Sequence, residues 1–313
     1  MTNLTIEARE LVKRYGSTLA VDRFSCTVEA GRVTGFVGPN GAGKSTTMRM
    51  MLALDRPDGG ATLIGGKPYT AYREPARTVG ALLDPEAVHP GRRAADRLLW
   101  MAQYNGIPRK RVNEVLQIVG LESVARKRVG GYSLGMRQRL GIAGALLGDP
   151  GILILDEPVN GLDPEGIRWI RGLLKQLAAE GRTVLVSSHL MSELQDTADH
   201  LVIMGRGRLL ADTSVKELLD RTSGEQVEVR TTDRAKAVEA LTLAGATVAV
   251  TGAETVTVSD LPTERVVSLL SAAGVPFTGI GQHRASLEDV YMALTREHTT
   301  FAAAPETEEA LTW

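Results

Sequence analysis

A glycine-rich run that ends in lysine and serine carries the clearest chemistry in this sequence. Residues 38–45, Gly-Pro-Asn-Gly-Ala-Gly-Lys-Ser, match the phosphate-binding pattern G-x-x-x-x-G-K-[ST] at every fixed position. Glycines allow a tight turn whose N–H groups point inward at the start of a helix, where a polyphosphate is stabilised. Lys44 is expected to reach the β- and γ-phosphates, and Ser45 to bind Mg²⁺. The run predicts a nucleoside-triphosphate site; the alternative is a glycine-rich turn that matches by chance.

The segments around this run have the pattern that such a site needs. Residues 33–37 are largely apolar and β-branched, which predicts a buried strand, and residues 44–53 predict the helix that follows. Residues 151–155 form a continuous apolar run, typical of a buried parallel strand, and lead into Asp156-Glu157-Pro158. Strands alternating with helices indicate an α/β core with a parallel sheet. The other predicted core elements are strands at 183–187 and 201–204 and a helix at 190–198.

Two further segments of the first domain have patterns that differ from that of the α/β core. Residues 4–31 alternate apolar and polar side chains, which predicts an antiparallel β-subdomain. Residues 92–148 lose the strand pattern and carry apolar residues at helical spacing, which predicts a helical insertion. In residues 4–31, the local pattern favours a core position for Tyr15 over a position in which its ring offers a flat surface to a nucleotide base. Cys26 is interpreted as a small core residue.

A second, smaller domain is predicted beyond residue 221. Residues 222–296 contain two-periodic strands separated by helical stretches, in the order β-α-β-β-α-β of a ferredoxin-like α+β domain. Residues 297–313 have few large apolar side chains and include Pro305-Glu-Thr-Glu-Glu309, which predicts a disordered tail. The predicted strands are 226–231, 246–251, 255–259 and 276–281, and the predicted helices are 233–244 and 262–273.

Composition limits the possible partners and the compartment. The 313 residues suggest about two domains. The 36 basic and 37 acidic residues leave no general electrostatic footprint for nucleic acid or an anionic membrane. A single cysteine excludes an internal disulfide and indicates a reducing compartment. The charged first residues do not fit a secretory signal, and no stretch reaches the ~18 to 20 apolar residues that span a bilayer. We therefore expect a cytoplasmic protein.

Five motifs in a fixed order give the chain a close resemblance to the ATP-binding cassette (ABC) family, the ATPase subunits of ABC transporters. The resemblance covers residues 4–220 and implies a P-loop NTPase (RecA-like) core over residues 1–221, with ATP and Mg²⁺ as ligands. The motif residues are the phosphate-binding run with its neighbour (Gly38, Pro39, Asn40, Gly41, Ala42, Gly43, Lys44, Ser45 and Thr46), Tyr132-Ser-Leu-Gly-Met136, Asp156-Glu157-Pro158, Gly161-Leu-Asp163 and Ser187-Ser-His189.

The resemblance implies roles for residues on the ATP side of the site. Asp156 would hold Mg²⁺ through a water molecule, together with Ser45. Glu157 would be the base that orients or deprotonates the attacking water. His189 would contact the γ-phosphate. Tyr15 fits the position at which the family stacks an aromatic ring on adenine, which reverses the preference that its local pattern gives.

Other implied roles need a second subunit. Ser133 and Gly135 lie in the segment 132–136, called here the signature segment, which in the family completes the site of the opposite subunit. Asp163 belongs to the loop that links the two sites. Ser133 could equally be a helix N-cap, and both roles can hold at once. The usual Leu-Ser-Gly-Gly-Gln signature is altered here, with Leu134 at the first glycine and Met136 at the glutamine.

A further departure lies at Asp84, where most members have a glutamine that binds Mg²⁺ and water. An acidic residue at this position is similar to the bacitracin and lantibiotic resistance subunits, which usually have glutamate. Asp84 could bind the metal through water, or it could be a spectator while Glu86 takes its part.

The function implied by the resemblance is ATP hydrolysis that powers a separate membrane permease, at the cytoplasmic face of the membrane. The partner at the site would be a second copy or a related ATPase subunit. Residues 79–91 and 286–295 look like those of export subunits, which implies export of a drug, peptide antibiotic or lipid-like compound. The alternative is a soluble cassette ATPase that acts on ribosomes or DNA; the absence of a basic excess disfavours nucleic acid as a partner. The second domain could stabilise the dimer or sense a ligand.

Overall fold

The computed structural model describes residues 4–222, 226–259 and 261–283. Residue contacts divide the chain into two compact units, with the boundary between Ser214 and Val215. The sequence places this boundary at residue 221. The predicted tail at 297–313 and the export-like segment at 286–295 lie outside the described residues. No helix within the described ranges is both long and apolar enough to cross a bilayer.

The first unit contains nine strands and seven α-helices among its described residues. The strands are β1 (Ile6–Tyr15), β2 (Thr18–Val28), β3 (Val33–Val37), β4 (Gly59–Ile64), β5 (Val79–Leu82), β6 (Ile152–Leu155), β7 (Thr183–Ser188), β8 (His200–Gly205) and β9 (Arg208–Ser214). The helices are α1 (Lys44–Met51), α2 (Pro75–Thr78), α3 (Ala94–Tyr104), α4 (Arg109–Ile118), α5 (Leu134–Leu146), α6 (Pro164–Ala179) and α7 (Met191–Gln195).

A six-stranded sheet forms the centre of this unit, in the order β5-β6-β7-β3-β8-β9. The first five strands of that order are parallel, and β9 pairs antiparallel with β8 at the edge. Every residue of β3, β6 and β7 is buried, which explains their continuous apolar runs. The α/β core and the parallel strand at 151–155 are therefore confirmed, whereas β9 was not predicted because its short alternating run follows β8 after a two-residue turn.

A three-stranded antiparallel sheet, β2-β1-β4, belongs to the same unit. Its buried side chains join the core of the larger sheet, and the rings of Phe24 and Phe36 lie 5.6 Å apart. Cys26 is 7% exposed in this core, and burial raises the pKa of its thiol to about 12. The antiparallel subdomain and the core position of Cys26 are both as predicted.

The segment between β5 and β6 is helical, as expected. Helices α3, α4 and α5 pack together there, and α5 also packs on β5. Val112, Val115 and Leu116 are buried on one face of α4, in agreement with the spacing of the apolar residues. The phenol of Tyr132, which precedes α5, donates a hydrogen bond to the carbonyl of Val124 at 2.8 Å. This bond fixes the first residue of the signature segment.

The second unit has the predicted ferredoxin-like order. It contains α8 (Val215–Thr222), β10 (Gln226–Thr231), α9 (Arg234–Leu243), β11 (Thr247–Val250), β12 (Thr255–Ser259), α10 (Thr263–Ala272) and β13 (Phe277–His283). The four strands form one antiparallel sheet in the order β11-β12-β10-β13. Buried Val227, Val229, Leu241, Val256 and Leu270 give this unit a hydrophobic core of its own.

The close approach of β5 to α5 gives a stability prediction. A Cβ atom on Gly80 would overlap the carbonyl oxygen of Ala145, whereas a Cβ on Gly172, exposed in α6, would meet no atom within 4 Å. We expect Gly80→Ala to lower the free energy of unfolding by about 1–3 kcal/mol, the usual cost of overpacking. Gly172→Ala should raise it by about 0.5–1 kcal/mol, because alanine is the better helix former. Urea unfolding followed by circular dichroism measures both, and effects of the same sign would contradict this packing.

Candidate active site

The glycine-rich run lies where β3 leads into α1, and its backbone makes the shape of the site. Gly41 and Gly43 have φ of 79° and 105°, in the left-handed region that favours glycine. A Cβ on Gly38 would overlap the carbonyl oxygen of Met204. Side chains at these positions would fill the space or strain the turn. The loop therefore leaves a cradle for a ligand beside the start of α1.

Lys44 begins α1 and lies almost entirely inside the loop, with 6% of the residue exposed. Its Nζ donates hydrogen bonds to the carbonyls of Gly38 at 2.5 Å and Pro39 at 3.3 Å. Burial lowers the pKa of this ammonium group, and the nearby negative charges of Glu157 and Asp156 oppose that shift. The loop thus holds its cation next to two carboxylates.

Asp156 follows the last residue of β6 and connects the adjacent strand ends. Its Oδ2 accepts a hydrogen bond from Ser45 Oγ at 2.6 Å, and its Oδ1 accepts one from Ser187 Oγ, at the end of β7. Its N–H donates to the carbonyl of Leu82, the last residue of β5, at 2.7 Å. The carboxylate is buried and held in contact with the hydroxyl that follows Lys44.

Glu157 has an unusual backbone conformation, with φ of 48°. A non-glycine residue in this region is strained and persists only where its surroundings fix it. Three side chains do so here. Ser187 Oγ accepts from the Glu157 N–H at 2.9 Å, Gln138 Nε2 donates to the Glu157 carbonyl at 3.0 Å, and His189 Nδ1 lies 2.8 Å from Glu157 Oε2. The glutamate is thus fixed at its N–H, its carbonyl and its carboxylate.

Gln138, on α5, was not predicted from the sequence. It is fully buried, and its Oε1 has no hydrogen-bond partner among the described residues. The available signal was a polar residue placed among the apolar positions of an otherwise buried helix face, between Arg137 and Leu140. For Ser187, the motif Ser187-Ser-His189 predicted no separate role, whereas the structure shows it in contact with both Asp156 and Glu157.

The glycine-rich run, Asp156 and Glu157 line a cavity of about 240 Å³. Its lining residues are Ala20, Asn40, Gly41, Ala42, Gly43, Lys44, Ser45, Thr46, Asp156 and Glu157. A cradle of N–H groups with a buried lysine suits a polyphosphate, and the hydroxyl and carboxylate of the Ser45–Asp156 pair are oxygen ligands of the kind that Mg²⁺ prefers. The residues present therefore fit both ATP and Mg²⁺. Ala20, which lines the cavity from β2, is a further position that the sequence did not single out.

The predicted residues of the signature segment and the linking loop lie outside that lining. Ser133 Oγ accepts from the Met136 N–H at 3.2 Å and caps α5, so its N-cap role is seen directly. Asp163 Oδ1 accepts from the Gly166 N–H at 2.9 Å and caps α6. A Cβ on Gly135 would lie 2.7 Å from the carbonyl oxygen of Gly161. The two segments therefore pack against each other within the chain.

Tyr15 lies at the end of β1 and is 47% exposed, so the core position that its local pattern favoured is wrong. Its hydroxyl donates to Asp55 Oδ2 at 2.8 Å, and this hydrogen bond raises the pKa of the phenol. Asp55 also pairs with Arg49 at 2.8 Å, which lowers the pKa of the carboxyl. Asp55 therefore holds the Tyr15 side chain through its hydroxyl group.

Asp84 is exposed after β5 and does not line the cavity. Its Oδ1 accepts a hydrogen bond from the Glu86 N–H at 2.8 Å, which closes a short turn. Glu86 lies 3.8 Å from Arg137, the residue before Gln138 on α5. The metal-binding role of Asp84 stays a prediction.

Comparison with known proteins assigns the family. A model described as ABC transporter matches residues 21–160. The bacitracin transport ATP-binding protein BcrA of Bacillus licheniformis is 42% identical over 236 residues, which cover 74% of this chain and 77% of that protein. The chain belongs to the ATP-binding subunits of ABC transporters. It is thus an ATPase of this family, and the resemblance drawn from the five motifs is confirmed.

Other relatives of this ABC subunit extend over nearly the whole chain. The Nod factor export ATP-binding protein I of Burkholderia lata is 33% identical over 297 residues, covering 93% of this chain and 96% of that protein. Among solved structures, an ATP binding subunit of an ABC transporter matches with a TM-score of 0.63 and 25% identity, covering 69% of this chain and 92% of that one. A domain model of unknown function matches residues 225–288. The P-loop NTPase fold is confirmed.

The contact between Gln138 and Glu157 predicts a loss of hydrolysis without a loss of nucleotide binding. In Gln138→Met the carbonyl of Glu157 loses its donor, so the strained backbone keeps only one of its two restraints, the bond to Ser187. A net hydrogen bond of about 0.5–1.5 kcal/mol corresponds to a rate lowered about two- to tenfold. We expect that decrease in the ATP turnover rate, with an unchanged dissociation constant for ATP.

The matched control is Gln117→Met, an exposed glutamine of α4. It should leave turnover unchanged. Wild-type turnover in Gln138→Met, or a parallel loss of ATP binding and thermal stability, would show that Gln138 does not position Glu157.

Proposed function

We propose that this ABC subunit hydrolyses ATP to power a separate membrane permease that exports a drug, peptide antibiotic or lipid-like compound. The observation that carries the proposal is Glu157, which lines the P-loop cavity and is fixed at its backbone N–H, its backbone carbonyl and its carboxylate. The relative named for Nod factor export supports the direction of transport, and the relative named for bacitracin transport supports a peptide antibiotic as the compound.

The residues of the cavity have separate roles in this proposal. Backbone N–H groups of residues 38–46 and the Lys44 ammonium bind the phosphates. Ser45 and Asp156 hold Mg²⁺, which when bound neutralises charge on the phosphate oxygens. Asp84, on a turn outside the cavity lining, binds the metal through a water molecule in this proposal. Tyr15, with an exposed ring, stacks on the adenine.

Glu157 acts on the attacking water. Its Oε1 and Oε2 are the proton acceptors, and His189 Nδ1 holds Oε2 at 2.8 Å. The other ring nitrogen of His189, Nε2, donates to the γ-phosphate in the doubly protonated ring, because the Nδ1–H is already donated to Glu157 Oε2. Because the Glu157 backbone is fixed at both its N–H and its carbonyl, the carboxylate needs little rearrangement before reaction.

The site is completed by a second ATPase subunit in this proposal. Ser133 and Gly135 do not line the cavity of their own chain, which supports a role toward the opposite subunit. Asp163 caps α6 next to the loop that contacts the signature segment, a position suited to link the two sites. Attachment through the permease places the chain at the cytoplasmic face of the membrane.

The test is affinity purification of the tagged full-length chain from its native membranes in detergent with Mg-ATP. We expect one polytopic permease to be recovered in amounts comparable to the chain. A strain that lacks the chain should also become more sensitive to the exported compound, with rescue by the wild-type gene and none by Lys44→Ala, which removes the charge facing the phosphates.

Recovery without any membrane protein, or with ribosomes in a salt-sensitive manner, would contradict the proposal and favour a soluble cassette ATPase.

A further inference from the structure

The balanced total charge conceals a strongly basic region in the helical insertion. Residues 91–131 contain nine Lys and Arg residues against three Asp and Glu residues. Four of these cations lie on two short segments that run side by side. The Val129 N–H donates to the carbonyl of Arg92 at 2.9 Å, and Arg93 and Arg128 face each other in an antiparallel bridge.

We call this surface the basic ledge and define it as Arg92, Arg93, Lys127 and Arg128. All four residues are exposed, and the backbone between them is anchored by buried Ala94 and Val129. Within the described part of the chain, none of the four forms an ion pair, in contrast to Arg111, Arg171 and Arg182. The ledge therefore presents uncompensated positive charge on a fixed backbone.

Two exposed aromatic side chains continue the ledge along α3. Trp100 and Tyr104 are 56% and 81% exposed, and their rings stack with centroids 6.1 Å apart. The guanidinium of Arg92 lies 5.7 Å from the centre of the Trp100 ring. Leu98 and Ala102 occupy the buried face of the same helix. Cations beside large amphipathic rings are the combination found at membrane–water interfaces.

We propose that the basic ledge and the Trp100–Tyr104 pair bind the surface of a bilayer that contains anionic phospholipids. This inference rests on the proposed function, which brings the chain to the cytoplasmic face of a membrane. The anionic headgroups of that leaflet attract clustered Lys and Arg side chains, and Trp and Tyr insert at the headgroup level. An acidic protein segment is the other possible occupant. The cytoplasmic loops of membrane proteins, however, are rich in Lys and Arg and would be repelled.

The test uses vesicles that contain no permease. The purified full-length chain is sedimented with vesicles of phosphatidylcholine alone or of phosphatidylcholine mixed with phosphatidylglycerol. We expect binding only to the mixed vesicles, weakened by added salt because the contacts are exposed. Each cation near an anionic surface strengthens binding about fivefold. The quadruple variant Arg92→Gln, Arg93→Gln, Lys127→Gln and Arg128→Gln should therefore bind at least about a hundredfold more weakly.

The matched control changes the net charge equally on other exposed surfaces, with the substitutions Arg56→Gln, Lys67→Gln, Arg73→Gln and Lys175→Gln. It should retain most of the binding. A third variant, Trp100→Ala with Tyr104→Ala, should weaken binding while its salt dependence remains. Unchanged thermal unfolding and basal ATP turnover confirm that the variants are folded.

Three outcomes would overturn the inference. The wild-type chain would not bind mixed vesicles, or the quadruple variant and its control would lose vesicle binding equally. In the third, the quadruple variant would lose the permease in detergent but still bind vesicles. The last outcome would assign the ledge to a protein partner. Because these vesicles contain no permease, failure here leaves the copurification result standing, and failure of copurification leaves the vesicle result standing.

Discussion

The active site depends on hydrogen bonds between the ends of neighbouring parallel strands. Strands β5, β6 and β7 lie side by side, and the first residue after β6 bonds to both neighbours: the Asp156 N–H to Leu82 and the Asp156 carboxylate to Ser187. The same carboxylate accepts from Ser45, next to the phosphate-binding lysine. A shift of β6 relative to its neighbours would break all three contacts, so the sheet register sets the geometry of the site.

Glu157 extends this arrangement to the helical insertion. Its left-handed backbone is held by Ser187 from β7 and by Gln138 from α5. Helix α5 begins at the signature segment, where Ser133 caps it. One helix thus carries both Ser133, which is proposed to complete the site of a second subunit, and Gln138, the donor that fixes Glu157.

The sequence predicted most of the fold because the signals were local. The phosphate-binding run, the apolar strands and the β-α-β-β-α-β order each depend on residues close together in the chain. Gln138 could not be predicted as a contact of Glu157, since that contact joins two distant segments and appears only when α5 packs near the end of β6. The local pattern around Tyr15 favoured burial, but Tyr15 is the last residue of β1, the middle strand of the three-stranded sheet, and its place at the strand end leaves it exposed. The basic ledge could not be predicted from the total charge, because acidic residues elsewhere in the chain balance its cations.

The most direct test of this account is ATP turnover and oligomeric state in Glu157→Gln, with exposed Glu122→Gln as the control. If Glu157 is the base, turnover should fall by ~10² to 10⁴-fold, as expected for a lost general base. ATP should still bind, and a nucleotide-bound dimer should persist in size-exclusion chromatography while the wild-type dimer dissociates after hydrolysis. Turnover equal to that of the wild type and of Glu122→Gln, with no ATP-dependent dimer, would show that the Glu157 carboxylate is not the catalytic group.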